Sequence, residues 1–177
     1  EARLPRYTSY PTAPRFAPGI GAGTYGDWLA AIPSSEVVSL YLHIPFCRQA
    51  CTYCDFHFST SKDRGGVLDA MELELIKRSK ELGDGRVGTI YFGGGTPSLL
   101  ESERIAAFIQ QAQDLFRVER DAEVTLEANP DDITVARLAD WKAGGITRVS
   151  LGTQSFRDDR LKWMGRAHDA RQALTSI

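Results

Sequence analysis

Val37-Val-Ser-Leu-Tyr-Leu-His43 leads into Ile44-Pro-Phe-Cys47-Arg-Gln-Ala-Cys51-Thr-Tyr-Cys54. The first run is β-branched, aromatic and aliphatic, the composition of a strand. The second places all three cysteines of the chain within eight residues, spaced Cys-x3-Cys-x2-Cys. A loop of that kind offers three thiolates to one metal centre and leaves a coordination position without a protein ligand. The decisive unit is therefore a strand that ends in a loop rich in chemistry.

The same unit recurs along the chain. Val67–Leu82 carries Leu68, Met71, Leu75 and Leu82 at helical spacing, and Val87–Phe92 reads as a second strand. Glu103–Phe116 is a second amphipathic helix and Ala122–Glu127 a third strand. A helix over Val135–Ala143, closed by Gly144-Gly145, precedes a fourth strand at Thr147–Gly152, with helical sequence after it. Upstream, residues 1–23 are rich in proline and glycine and read as an irregular arm, followed by a short helix over Tyr25–Ile32. The expected division is therefore an arm with its helix over 1–35 and a core over 36–177.

Strand–loop–helix repeated in this way predicts an α/β fold with parallel strands joined by crossovers. Two architectures fit, an open doubly wound sheet or part of a β/α barrel. Both gather ligands at the carboxyl ends of the strands. Those ends carry the cysteine loop, then Gly93-Gly94-Gly95-Thr96-Pro97, then Glu127-Ala-Asn129-Pro130-Asp131-Asp132, then Gly152-Thr-Gln154-Ser155-Phe156, with Arg166 beyond. Converged on one rim, they could ligate a metal cluster and hold a zwitterionic, nucleoside-bearing ligand beside it.

Each piece also has a plainer reading. Cys47, Cys51 and Cys54 with His57 could form a closed Cys3His zinc site, although such sites usually come as paired knuckles. The three glycines could be a tight turn, Glu127 a surface carboxylate and Tyr53 a packing residue. Asp131 and Asp132 are expected to cap the next helix. His43 and His168 are expected to pack or hydrogen-bond rather than ligate.

Composition narrows the class without naming it. The 177 residues are 42% hydrophobic and 25% charged, with a net charge of −2. No basic stripe points to nucleic acid, and no basic amphipathic helix points to a membrane surface. An odd, clustered set of cysteines argues against disulfides. There is neither a signal-peptide pattern nor an apolar run of membrane-crossing length, so the expected compartment is the reducing cytoplasm.

Cys47-x3-Cys51-x-Tyr53-Cys54, with an aromatic residue before the third cysteine, resembles the signature of radical S-adenosylmethionine (SAM) proteins. Leu40-Tyr41-Leu-His43-Ile-Pro45-Phe46-Cys47, Gly93-Gly-Gly-Thr96-Pro97, Glu127-Ala-Asn-Pro130 and Gln154-Ser155-Phe156 resemble the oxygen-independent coproporphyrinogen III oxidase family, including its haem-chaperone (HemW-type) branch. The resemblance spans essentially the whole chain. It implies a partial β/α barrel of radical SAM type, with Cys47, Cys51 and Cys54 binding three irons of a [4Fe–4S] cluster. The amino and carboxylate groups of SAM would take the fourth iron. Tyr41, Tyr53, Gly94, Gly95, Thr96, Glu127, Gln154 and Arg166 match positions at which the family contacts SAM. One electron from the cluster would then cleave SAM to a 5′-deoxyadenosyl radical. The implied partners are a tetrapyrrole, either haem or coproporphyrinogen III, and a reductase such as flavodoxin or ferredoxin.

Within the family the motifs divide. The oxidases proper carry a further cysteine two residues after the third, and here that position is Phe56. Cys54-Asp55-Phe56-His57-Phe58 and Trp163-Met164-Gly-Arg166-Ala-His168 resemble the haem-chaperone branch, whereas Pro5-Arg6-Tyr7-Thr8-Ser9-Tyr10-Pro11-Thr12-Ala13 resembles the amino-terminal arm of the oxidases (HemN type). The affinities change over near the cysteine loop, as in a hybrid or recombined sequence. The expectation is a radical SAM protein of tetrapyrrole metabolism, haem-chaperone-like, with the oxidase as the alternative. The family core resembles a six-unit partial barrel with a further carboxyl-terminal domain, and about four units are legible here. A truncated core of this kind is expected to carry the cluster loop without completing a catalytic cycle alone.

Overall fold

The computed structural model describes residues 21–33 and 35–177. The chain divides into two units, 1–32 and 33–177. In the first, the described element is helix α1, Ala22–Ala30. It begins and ends earlier than the expected Tyr25–Ile32. Ile32 precedes Pro33, whose ring disfavours the helical region for the residue before it. The motif over Pro5–Ala13, and most of the expected arm, lie outside the described residues.

The second unit alternates strands and helices. Its elements are β1 (Val37–Ile44), α2 (Gly65–Leu82), β2 (Arg86–Gly94), α3 (Ser102–Leu115), β3 (Arg117–Ala128), α4 (Val135–Ala143), β4 (Arg148–Leu151), α5 (Asp158–Trp163) and α6 (Ala170–Thr175). Short 3-10 turns, Pro97–Leu99 and Pro130–Asp132, come after β2 and β3. The four strands form one sheet in the order β1-β2-β3-β4, and every pair is parallel. A doubly wound sheet reverses its strand order at a switch point, whereas here sequence neighbours are sheet neighbours throughout, as in a β/α barrel.

Strand alternation sorts the side chains. Leu42 and Ile44, Ile90 and Phe92, and Val124 and Leu126 are buried in the core with Leu68 and Leu75 of α2. Helix α3 adds Ile105, Phe108, Ile109 and Ala112, an i, i+3, i+4, i+7 stripe, and α4 adds Trp141. The alternate residues Tyr41, Tyr91 and Glu127 stand on the other face of the sheet.

Strand β3 starts five residues before the expected Ala122. Val87 pairs with Val118 but Thr89 with Glu123, so β3 bulges between these pairs. Glu119, Arg120 and Asp121 occupy the bulge and break the apolar alternation, which hides the strand's start; Glu119 is paired to Arg86 at 2.9 Å. Among the described residues, no helix is long and apolar enough to cross a membrane.

Candidate cofactor site

The base of the cysteine loop continues the sheet by other means. The Cys47 amide donates to the Ser59 carbonyl at 3.0 Å, and Phe46 and Ser59 form an isolated parallel bridge. From the neighbouring strand, the amides of Gly95 and Thr96 donate to the carbonyls of Ile44 and Phe46 at 2.8 and 2.7 Å. The glycines permit this approach. Gly94 has φ +108, and a Cβ on Gly95 would lie 2.7 Å from the Phe46 carbonyl oxygen. The turn after β2 is thus pressed against the strand that delivers the thiols.

Above it opens a cleft of about 300 Å³. Cys47, Cys51 and Cys54 line it, all three free and partly exposed. Tyr53, Gly94, Gly95, Thr96, Glu127, Gln154 and Arg166 line it as well. Gln154 is the non-glycine residue with positive φ (60°) among those described, a strained geometry of the sort that gathers at binding sites. Tyr41 is placed elsewhere. It lies outside the cleft lining, stacked on Tyr91 at 5.9 Å between ring centroids, with its hydroxyl 3.4 Å from His43 Nδ1. Tyr91 in turn donates to Glu127 Oε1 at 2.8 Å.

Arg166 joins the cysteine loop to the ends of β3 and β4. Its Nη1 lies 3.5 Å from Cys51 Sγ and 3.3 Å from the Tyr53 hydroxyl, and its Nη2 donates to the Gly152 carbonyl at 3.0 Å and to Asn129 Oδ1. None of these partners is a carboxylate, so the guanidinium is available to an anionic group entering the cleft. His168, two residues on, is buried and bonds the Thr153 carbonyl at 2.9 Å. It packs, as expected.

Two contributors escape sequence reasoning. Asn129 lines the cleft and bridges Arg166 to the Thr96 hydroxyl, 3.5 Å away. Its signal is available, since it lies two residues beyond Glu127 at the same strand end. Arg48 carries no signal: it pairs with Asp131 and, at 2.5 Å, with Asp132, more than eighty residues away. This corrects the reading of the two aspartates as helix caps. Thr134 caps α4, accepting from the Arg137 amide at 3.2 Å, while Asp132 is buried beneath the cysteine loop.

Burial pushes the Cys47 thiol up from its ordinary value; the Thr96 hydroxyl at 3.6 Å opposes this, and the neighbouring thiols of Cys54 and Cys51 add to it. Burial also raises the Tyr53 phenol against the pull of Arg166. The Tyr91 phenol is raised by burial, then by its bond to Glu127.

The donor set suits a cluster better than a single ion. Among the described residues, no three His, Cys, Asp or Glu side chains converge tightly enough to hold one metal ion. A zinc site needs four donors on one point, and His57 is outside the cleft lining, its carbonyl oxygen 3.0 Å from His43 Nε2. Thiolates that serve three different irons need no common point.

Comparison with known proteins places the chain in a family. The chain is 40% identical over 161 residues to the oxygen-independent coproporphyrinogen III oxidase of Bradyrhizobium diazoefficiens, covering 88% of this chain and 36% of that protein. It is 41% identical over 153 residues to the heme chaperone HemW of Mycobacterium tuberculosis, covering 84% and 39%. Among solved structures, coproporphyrinogen III oxidase (HemN) from Escherichia coli superposes with a TM-score of 0.83 at 30% identity, over 96% of this chain and 39% of that one. The chain thus spans less than two fifths of the length of these relatives. The sequence profile of the Radical SAM superfamily matches residues 41–177, from the first strand through every strand-end loop, and the chain belongs to that superfamily.

Proposed function

We propose that residues 36–177 form a core that binds a [4Fe–4S] cluster through Cys47, Cys51 and Cys54 and SAM in the adjoining cleft, and that it serves tetrapyrrole metabolism as a haem-chaperone-like protein. The observation that carries the cofactor reading is three free thiols lining one cleft with the Glu127 carboxylate and a guanidinium that has no carboxylate partner. The chemistry supplied by the bound pair is one-electron cleavage of the SAM sulfonium. The protein's part is binding and orientation. Arg166 receives the ligand's carboxylate, the backbone at Gly94 and Gly95 and the Thr96 hydroxyl face its amino-acid portion, and Tyr53 offers a ring beside the adenine. Gln154 and Glu127 bind its remaining polar groups, with Tyr91 holding the Glu127 carboxylate in place and Tyr41 packed behind Tyr91. A one-electron reductase such as flavodoxin or ferredoxin is the implied partner, and a reducing cytoplasm keeps the thiols free.

Phe56 carries the chaperone reading. It lines the cleft and is half exposed, at the position where oxidases of this family have a further cysteine. The oxidase reading is favoured by a different observation: the coproporphyrinogen III oxidase of Paracoccus denitrificans aligns over 94% of the chain, at 37% identity. An anaerobically reconstituted sample decides between them. Haem binding seen by its visible absorption, with no carbon dioxide from coproporphyrinogen III in the presence of SAM and reductant, is the expected result. Stoichiometric carbon dioxide release transfers the protein to the oxidases.

Glu127→Ala separates the cluster from the SAM site. Losing a charge-assisted contact costs about 2 kcal/mol, roughly thirty-fold in the Kd for SAM. Iron content is expected to stay at the parental value, because Glu127 lies on β3 and the thiols on the loop after β1. Iron lost in step with SAM affinity refutes that division.

A further inference from the structure

Among the described residues, Asp132 is the one buried carboxylate, and its side chain has no exposure at all. Such a group persists only when it is paired and hydrogen-bonded. Its partners come from different loops. Ser98, itself fully buried in the turn after β2, donates from Oγ at 2.6 Å. Arg48, next to Cys47 in the loop after β1, donates from Nη2 at 2.5 Å and reaches Asp131 with Nη1. Arg137 of α4 stands at 3.7 Å and also donates to the carbonyls of Ser98 and Leu100, its guanidinium lying 4.9 Å over the Trp141 ring. The far side of the cysteine loop is tied separately, through the Thr52 amide to the Met164 carbonyl at 3.2 Å and Gln49 to Gly165.

We propose that Asp132 is a positioning residue that fixes the loops after β1, β2 and β3 against one another, so that the thiols and the glycine turn are presented to one ligand pair. This rests on the reading of the cleft as the cluster and SAM site. Asp132 touches neither ligand; it acts through Arg48 and Ser98. The backbone bonds of Gly95 and Thr96 hold only the base of the cysteine loop, at Ile44 and Phe46, whereas the Arg48 pair holds the rising part that carries the thiols.

Amide hydrogen exchange on the metal-free full chain tests the hub without any cofactor. In Asp132→Asn, exchange is expected to quicken about tenfold in both segments 47–54 and 95–99, while the strands exchange as in the parent. In Arg48→Gln, only 47–54 is expected to quicken, a division that general destabilisation would not produce. After iron–sulfur reconstitution, Asp132→Asn should weaken SAM binding by about tenfold, as loss of an outer support does. Parental exchange in both segments, or parental SAM affinity in a folded, iron-loaded Asp132→Asn chain, overturns the proposal. Should Asp132→Asn not fold, Arg48→Gln decides alone, and unchanged exchange at 47–54 overturns it. A parent chain that takes up no iron sinks the cluster reading while leaving the exchange result to stand or fall by itself.

Discussion

Cys51→Ala is expected to leave the anaerobically reconstituted protein colourless, with iron and sulfide at background and the fold intact. Three thiolates anchor three irons, and two cannot hold the assembly against loss of iron. The substitution is mild for the apoprotein. Cys51 is partly exposed, and its Sγ has a long contact from Arg166 Nη1 at 3.5 Å and a side-chain hydrogen bond with Tyr53. Arg166 keeps Asn129, the Gly152 carbonyl and the Tyr53 hydroxyl. The cost to folding is therefore about 1 kcal/mol or less, while loss of the brown absorption band is complete. His57→Ala is the matched control: it should keep parental iron, because His57 is outside the cleft lining. Parental iron in Cys51→Ala, or loss of metal in His57→Ala with four donors per bound ion, would falsify the thiolate tripod in favour of a zinc site.

The contrast between Cys51 and Arg48 explains what could be read from the sequence. The cysteines declare themselves because metal ligands on one loop must be near in sequence, and their spacing is the signal. Arg48 sits beside them, yet its work is done on Asp131 and Asp132, and nothing local announces a partner so distant. The same limit defeats the reading of those aspartates. Asp-Asp before a helix is capping composition, but tertiary pairing with an arginine head group outweighs it. Strands β1 and β2 are legible because apolar and polar residues alternate or run together, whereas the charged bulge of β3 erases that pattern at Glu119–Asp121. Strand order is not legible from periodicity, which reports the face a residue occupies and not the strand beside it; the family resemblance, through the partial barrel it implies, is what carries it. The order that results is what puts the thiols, the glycine turn and Glu127 on consecutive strand ends.

Gly95→Ala should be strongly damaging while leaving every cofactor side chain in place. Gly95 has no left-handed backbone to protect, so the objection is one of space. An added Cβ would lie 2.7 Å from the Phe46 carbonyl oxygen and 2.9 Å from both the Ile44 carbonyl oxygen and the Phe46 amide nitrogen. All three are backbone atoms of the strand end that carries the cysteines, and none can swing aside as a side chain could. Relief requires the two strand ends to separate, which breaks the bonds from Gly95 to Ile44 and from Thr96 to Phe46. Overpacking with lost hydrogen bonds amounts to about 3 kcal/mol, or a Tm lower by about 10 °C in a chain of this size. Gly66→Ala supplies the comparison, because that glycine lies in helix α2 with nothing within 4 Å of its Cβ position. There alanine should stabilise by up to about 1 kcal/mol, through helix propensity. A thermal melt of the two variants beside the parent reads both signs at once. If Gly95→Ala melts with the parent, the glycine turn is not pressed against the cysteine strand, and the cleft built on that contact loses its floor.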